Sequence, residues 1–299
     1  MVSETEGDAS LSGLLCSENE TLLKEKEEPV DDNYIADYDE ECLQMLFGRE
    51  MSFGFKKSES LLLCNDLKYA RLEAITWILK ARAAFGFRFQ TAYLSMIYFD
   101  RFLSRNSIDS GKSWAMQLLS VACLSLAAKM EEMEVPALSE FQTEGCSFET
   151  KTIQRMELLV LSTLEWRMSL VTPFAFLHVF ITEMCKSSPP DMKLILHLIF
   201  FTLKEINVME HRPSVVAVAA ILRALNQRLT RKALECRVNS FSFCGFLDNE
   251  DVFTCYNLMQ KLEMGQINMP KTVNFLDLSP SRDSSSSGAV CTKRRRLTE

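Results

Sequence analysis

The chain has 299 residues, 47% hydrophobic and 24% charged, with a formal net charge of −7. That length suits two domain-sized cores of about 100 residues each, and the acidic balance excludes nucleic-acid binding through the general field, leaving only a local basic cluster for such a role. Ten cysteines without a Cys-x-x-Cys pair, and three histidines far apart (His178, His197 and His211), offer no zinc-ligand spacing, so no metal or other cofactor is expected and the thiols read as free and buried in a reducing compartment.

Residues 1–33 are rich in Ser, Glu and Asp and poor in large apolar groups, too little burial to offset the entropy of ordering, and read as a disordered acidic arm. The arm lacks the basic-then-apolar pattern of a signal peptide, and the longest apolar run, Leu194 to Leu203, is broken by His197; the chain therefore reads as soluble and intracellular, without a membrane partner.

Helical periodicity begins at Tyr34. A first helix around Asp39 to Phe47 and a linker occupy 34–65, and segments near 66–86, 90–104, 112–130, 137–142 and 149–165 then make one five-helix lobe over 66–168. Thr172 followed by Pro173 is a cap-plus-first-turn signal, and helices near 173–185, 190–208, 213–226, 231–240 and 249–264 make a second lobe over 169–265. Asp248 and Asp251 mark the start of the last helix in the manner of a capping box. No stretch shows convincing strand alternation, so the fold class is all-α with two tandem five-helix domains. From Gln266 onward, Ser279-Pro280, the run Ser284 to Ser287 and the basic run Lys293-Arg294-Arg295-Arg296 read as a disordered tail.

Trp114, Leu118, Leu119, Val121, Cys123, Leu124, Leu126 and Met130, with Ala between them, leave the 112–130 helix almost no polar face, which makes it the central helix of its lobe. On the preceding helices a 100° step per residue puts Arg71 and Arg82 within the stripe of Leu72, Ile75, Ile78 and Leu79, and Asp100 among Tyr93, Met96 and Leu103. Partly buried charges cost several kcal/mol unless paired, so an Arg71–Asp100 bridge is expected; the alternative is that both snorkel to solvent at the stripe edges. Lys129 ends the central helix, where a cation meets the dipole favourably, and Glu157 lies at the rim of the stripe of Ile153, Met156, Val160 and Leu164, where an ordinary solvated charge would also sit.

The stretches Tyr98-Phe99-Asp100-Arg101-Phe102-Leu103-Ser104, Ala122-Cys123-Leu124-Ser125-Leu126-Ala127-Ala128-Lys129-Met130-Glu131-Glu132 and Ile153-Gln154-Arg155-Met156-Glu157-Leu158-Leu159-Val160-Leu161 closely resemble plant D-type cyclins, over about residues 34–264. The resemblance implies two stacked cyclin-box domains, the first packing against the αC helix and activation segment of a cyclin-dependent protein kinase. It makes Arg71 and Asp100 the internal bridge, Leu118 a packing position, Lys129 and Glu157 a polar pair contacting the kinase, and Leu126, Met130, Glu131 and Glu132 further members of that surface.

Leu14-Leu15-Cys16-Ser17-Glu18 fits the Leu-x-Cys-x-Glu pattern whose extended form is bound by retinoblastoma-like pocket proteins, with Leu14, Cys16 and Glu18 as the contacting residues and acids following at Glu20, Glu25, Glu27 and Glu28. Alternation in an extended strand projects those three side chains from one face. Where many cyclins carry Met-Arg-Ala-Ile-Leu, an apolar patch that docks Arg-x-Leu motifs of substrates and inhibitors, this chain has Ala70-Arg71-Leu72-Glu73-Ala74, with Trp77 and Gln117 at matching patch positions. A carboxylate and an alanine replace two apolar patch residues, which puts that route in doubt.

The expected function is that of a non-catalytic regulator that activates a kinase, directs it to a retinoblastoma-like protein and promotes the G1/S transition, with kinase inhibitor proteins as further partners. Lys293 to Arg296 are the expected nuclear-import run, which places the chain in the nucleus and the cytoplasm. The alternative is a cyclin-fold transcription factor binding promoter DNA, which would need a basic face on the lobes. An enzyme is not expected: Gly86 and Gly111 belong to no phosphate loop, and His211-Arg212-Pro213 is a helix start.

Overall fold

The computed structural model describes residues 32–52, 65–106, 108, 112–141, 147–185, 190–204, 211–225 and 229–266. The motif of Leu14, Cys16 and Glu18, the basic run Lys293 to Arg296 and the disorder expected at both ends lie outside these residues. The chain divides into two units, Met1–Glu41 and Cys42–Glu299; of the first, only the opening part of helix α1 (Asp32–Ser52) is described.

Within the second unit the first lobe is built from α2 (Asn65–Phe85), α3 (Phe89–Arg105), α4 (Ser113–Glu131) and α5 (Thr150–Thr163). Helix α4 is its hub, touching α2, α3 and α5. It is the one described helix long and apolar enough to cross a membrane, and most of it is buried, with side chains from Ala115 to Ala128 closed off on every face save at Gln117. Full burial of each Leu, Val or Met contributes roughly 1.5–3 kcal/mol. Between them Ala122, Ala127 and Ala128 are fully buried, so the neighbouring helices approach closely, and a larger side chain there would overpack by about 1–3 kcal/mol.

The second lobe repeats the plan. Helix α8 (Pro213–Leu225) is buried from Pro213 to Arg223 and packs against α6 (Pro173–Met184), α7 (Met192–Leu203) and α10 (Asn249–Gln266), with α9 (Arg231–Val238) against α10. Asp191 caps α7 through the Lys193 N–H, and Thr230 caps α9 through the Ala233 N–H. Asp248 accepts from the Glu250 N–H at 2.9 Å at the start of α10. Thr172 opens α6 differently from expectation: its carbonyl, not its hydroxyl, takes the Ala175 N–H, and Pro173 holds the first-turn position.

Two further segments depart from the sequence reading. Residues 137–142 were expected as a helix, yet among the described residues of that segment Leu138–Glu140 forms a single 3-10 turn, pinned by a 2.9 Å bond from the Ala137 N–H to the Glu140 carboxylate. Helix α1 runs beyond Asp39–Phe47 at both ends. No strand occurs among the described residues.

The lobes meet through named contacts. Arg71 Nη1 donates to the Lys204 carbonyl at 3.4 Å, and Tyr93, Phe174, Phe89 and Phe200 form an aromatic cluster with centroids 5.5–6.3 Å apart. The last turns of α1 bind the second lobe: Phe47 packs against Phe176, Phe180 and Phe246, and the buried Glu50 carboxylate accepts from the Ser214 N–H and hydroxyl, both at 2.7 Å. Glu50 thereby caps α8 from a helix distant in sequence.

Candidate functional site

Helix α4 ends and α5 passes beside it at one edge of the first lobe. Lys129 Nζ donates to Glu157 Oε1 at 2.6 Å, with side-chain exposures of 44% and 8%. The two charges named from the sequence are therefore each other's partners. Glu157 faces inward with Ile153 and Val160, so it is a buried carboxylate whose charge is compensated from the surface side. Met130 is 45% exposed, and beyond the helix Met133 is fully exposed; on α5, Leu158 and Leu159 face outward. An ion pair with solvent-facing apolar groups on the same two helices is a surface suited to a protein partner.

The other residues assigned to this surface are placed differently. Leu126 is 6% exposed and belongs to the core. Glu132 accepts from the Arg88 N–H at 2.8 Å and from the Thr91 hydroxyl, and Glu131 accepts from Gln90 Nε2 at 2.6 Å. Both carboxylates are thus engaged with the start of α3.

Deeper in the lobe, Arg71 Nε and Nη2 reach Asp100 Oδ1 and Oδ2 at 2.7 and 2.6 Å, with side chains only 2% and 9% exposed. Burial, with Asp100 adding like-charge repulsion, pushes the Cys123 thiol far above its usual range. Burial likewise raises the Tyr93 phenol, with smaller repulsion from Cys255 and Asp100. Burial raises Cys255 to about 12. These groups stay protonated, consistent with packing roles and not with nucleophilic chemistry. Among the described residues no cluster of His, Cys, Asp or Glu could hold a metal.

A groove of about 400 Å³ opens between α2 and α4, lined among others by Tyr69, Leu72, Glu73, Trp77, Met116 and Gln117. The patch weakened in composition therefore keeps a concave shape, with Leu72 exposed and Trp77 partly covered, while Ala74 is buried.

Sequence reasoning did not find Arg88, Gln90 and Thr91, nor Glu50. A signal was present: no Ser, Thr, Asn or Asp stands just before Phe89, so α3 starts without a local cap and needs an acceptor from elsewhere.

Residues 44–169 match the cyclin N-terminal domain and residues 171–285 the cyclin C-terminal domain. The chain is 46% identical over 197 residues to Cyclin-D5-1 of Oryza sativa subsp. japonica, covering 64% of this chain but 54% of that protein, so it spans little more than half the length of that relative. It is 41% identical over 249 residues to Cyclin-D1-1 of Arabidopsis thaliana, covering 77% and 73% of the two chains, and 35% identical over 314 residues to Cyclin-D5-1 of Arabidopsis thaliana, covering 95% and 92%. Among solved structures, a viral cyclin from herpesvirus saimiri superposes with a TM-score of 0.58 at 15% identity, over 74% of this chain and 95% of that one, a likeness of fold alone. Two matched domains in tandem on two helical lobes, with relatives of this kind, decide the family: the chain belongs to the cyclins, and among them to the D-type cyclins of plants.

Proposed function

We propose that this chain is the regulatory subunit of a cyclin-dependent protein kinase, that it activates the kinase without catalysing a step itself, and that it directs the kinase to a retinoblastoma-like protein to promote passage from G1 into S. The observation that carries the reading is the edge of α4 and α5 on a D-type cyclin lobe, where the Lys129–Glu157 pair lies next to exposed Met130.

In protein kinases, catalysis requires the αC Glu paired with the β3 Lys and an ordered activation loop. A subunit that binds only the state with those parts in place supplies its differential affinity as activating free energy. Moving the kinase from 1:99 to 99:1 takes roughly 5.5 kcal/mol, within reach of an interface burying about 1,600 Å². Substrate choice runs through the arm: Leu14 fills an apolar pocket, Cys16 a tight one, and Glu18 accepts hydrogen bonds. Tethering by the arm raises the effective concentration of the pocket protein's phosphorylation sites. Lys293 to Arg296 take the chain into the nucleus, and Ser279-Pro280 with Ser284 to Ser287 form a phosphorylation-controlled turnover segment. Kinase inhibitor proteins meet the complex at the α2–α4 groove, less tightly for the Glu73 carboxylate in it.

The test is a kinase assay on complexes formed by the wild-type chain, by Lys129→Ala and by Cys16→Gly plus Glu18→Lys. The first substitution should cut kinase recovery and all phosphorylation, and the arm pair should cut phosphorylation of a retinoblastoma-like substrate while sparing a generic Ser-Pro peptide. A chain that co-purifies with no such kinase but shifts promoter DNA in a gel would overturn the reading in favour of a DNA-binding cyclin fold. A fluorescent fusion lacking residues 293–299 that stays as nuclear as the full chain would refute the import role.

A further inference from the structure

Helix α3 begins without a cap of its own: Arg88 holds the N-cap position and offers no acceptor, and the first turn carries no acidic residue. The chain reaches that point through Gly86, whose positive φ of 72° lets α2 close with the Phe87 N–H on the Arg82 carbonyl. A carboxylate from the far end of α4 meets this start, at the N-cap residue's own N–H and at the Thr91 hydroxyl. One oxygen of Glu132 takes both the Arg88 N–H, at 2.8 Å, and the Thr91 hydroxyl; Glu131 takes Gln90 Nε2; and the Arg88 guanidinium lies 3.8 and 3.6 Å from the two carboxylates. Glu132 is at the same time the residue that closes α4, its own N–H donating to the Ala128 carbonyl at 2.8 Å.

A carboxylate at a helix C-terminus opposes the negative end of that helix's dipole, whereas at a helix N-terminus it is favoured. Glu132 occupies both places at once. Its cost to α4 is offset by the N-terminus of α3, so the two helix ends are bound together through one side chain. Lys129 lies less than one turn before it.

We infer that Glu132 is a positioning residue: it locks the last turn of α4 against the first turn of α3 and thereby holds Lys129 and Met130 where a kinase meets them. The inference rests on the kinase-contact reading above. It also reassigns Glu131 and Glu132 from partner contact to support of that contact.

Thr91 is fully buried and out of any partner's reach, which makes it the discriminating handle. The experiment measures kinase affinity, melting temperature and amide hydrogen exchange for the full chain and for Glu132→Ala, Glu132→Gln, Thr91→Val, Thr91→Ser and the Glu132→Ala/Thr91→Val pair. Glu132→Ala and Thr91→Val should each weaken kinase binding about five- to tenfold. The pair should be no worse than the worse single variant, while Glu132→Gln and Thr91→Ser, which keep an acceptor and a hydroxyl, should retain most of the affinity.

If Glu132 touched the kinase directly, Glu132→Gln would fail like Glu132→Ala and Thr91→Val would be silent, and the inference would be overturned. If the wild-type chain binds no kinase, the functional reading fails separately, and exchange alone decides: Glu132→Ala must speed exchange in both the first turn of α3 and the last turn of α4. Faster exchange confined to α3 would refute the lock.

Discussion

Arg71 and Asp100 meet at two points inside the first lobe, and the same guanidinium reaches across to the Lys204 carbonyl at the end of α7, so one side chain joins α2, α3 and the second lobe. Removing one partner strands the other charge in a dry site, which costs about 3–5 kcal/mol. Asp100→Ala should lose that much in denaturant unfolding. Arg71→Met combined with Asp100→Leu should lose far less than the two single changes summed, because no buried charge remains. Arg71→Lys should fall short of wild type, since an ammonium cannot reproduce the planar two-point geometry. Wild-type unfolding of Asp100→Ala would mean the bridge contributes nothing.

The Lys129–Glu157 pair predicts an asymmetry between its members. Lys129→Ala leaves a carboxylate whose side chain is 8% exposed without its cation, at about 1–3 kcal/mol. Glu157→Gln leaves a neutral amide beneath a lysine that turns freely to water, and should cost less. A double-mutant cycle in urea should show the two positions coupled by roughly 0.5–3 kcal/mol. Additive losses would mean the pair is formed without energetic consequence.

Glu50 ties stability to pH. Burial raises its pKa above the usual 4.5, outweighing the Ser214 hydrogen bonds and the attraction of Arg212. The folded chain therefore holds this proton more tightly than the unfolded one, and the stabilisation that protonation provides is complete below pH 4.5 and is lost as pH rises through the folded-state pKa. Glu50→Gln should accordingly gain on wild type at neutral pH, with the gap closing on acidification towards pH 4.5. Glu50→Ala, which removes the cap, should lose about 1 kcal/mol at either end of the range. A constant difference between Glu50→Gln and wild type across that range would contradict the assignment.

The all-α class and the central helix of the first lobe were legible because a helix without a polar face has only one place to be, and α4 is of that kind; α8 plays the same part in the second lobe, which the sequence reading did not single out. Arg71 and Asp100 were legible for a related reason: a charge inside an apolar stripe demands a partner, and only a few candidates face the same core. Glu131 and Glu132 were not, because their partners are a backbone N–H and two short side chains on a helix 41–44 positions away, and periodicity carries no information about which helix ends converge. Leu126 is set apart from its exposed neighbours for the opposite reason. It neighbours the exposed end of α4 in sequence, but its 100° step turns it back into the lobe. The 3-10 turn at Leu138–Glu140 escaped because three residues are too few to show a period.

The bonds from Glu50 to Ser214 join positions 164 residues apart, and this bears on the order in which the protein can be completed as it is made. The last turns of α1 leave the ribosome early, yet Ser214, Phe176, Phe180 and Phe246, which Glu50 and Phe47 require, are all synthesised later. Until then Phe47 has no burial site and Glu50 no helix to cap, while the first lobe, whose α2 to α5 contacts are shorter in range, can already close. A nascent chain of this kind presents a folded first lobe preceded by an α1 helix whose Phe47 still awaits its site, and shortening α1 should therefore injure the second lobe, the one made last, and not the lobe that follows it in sequence.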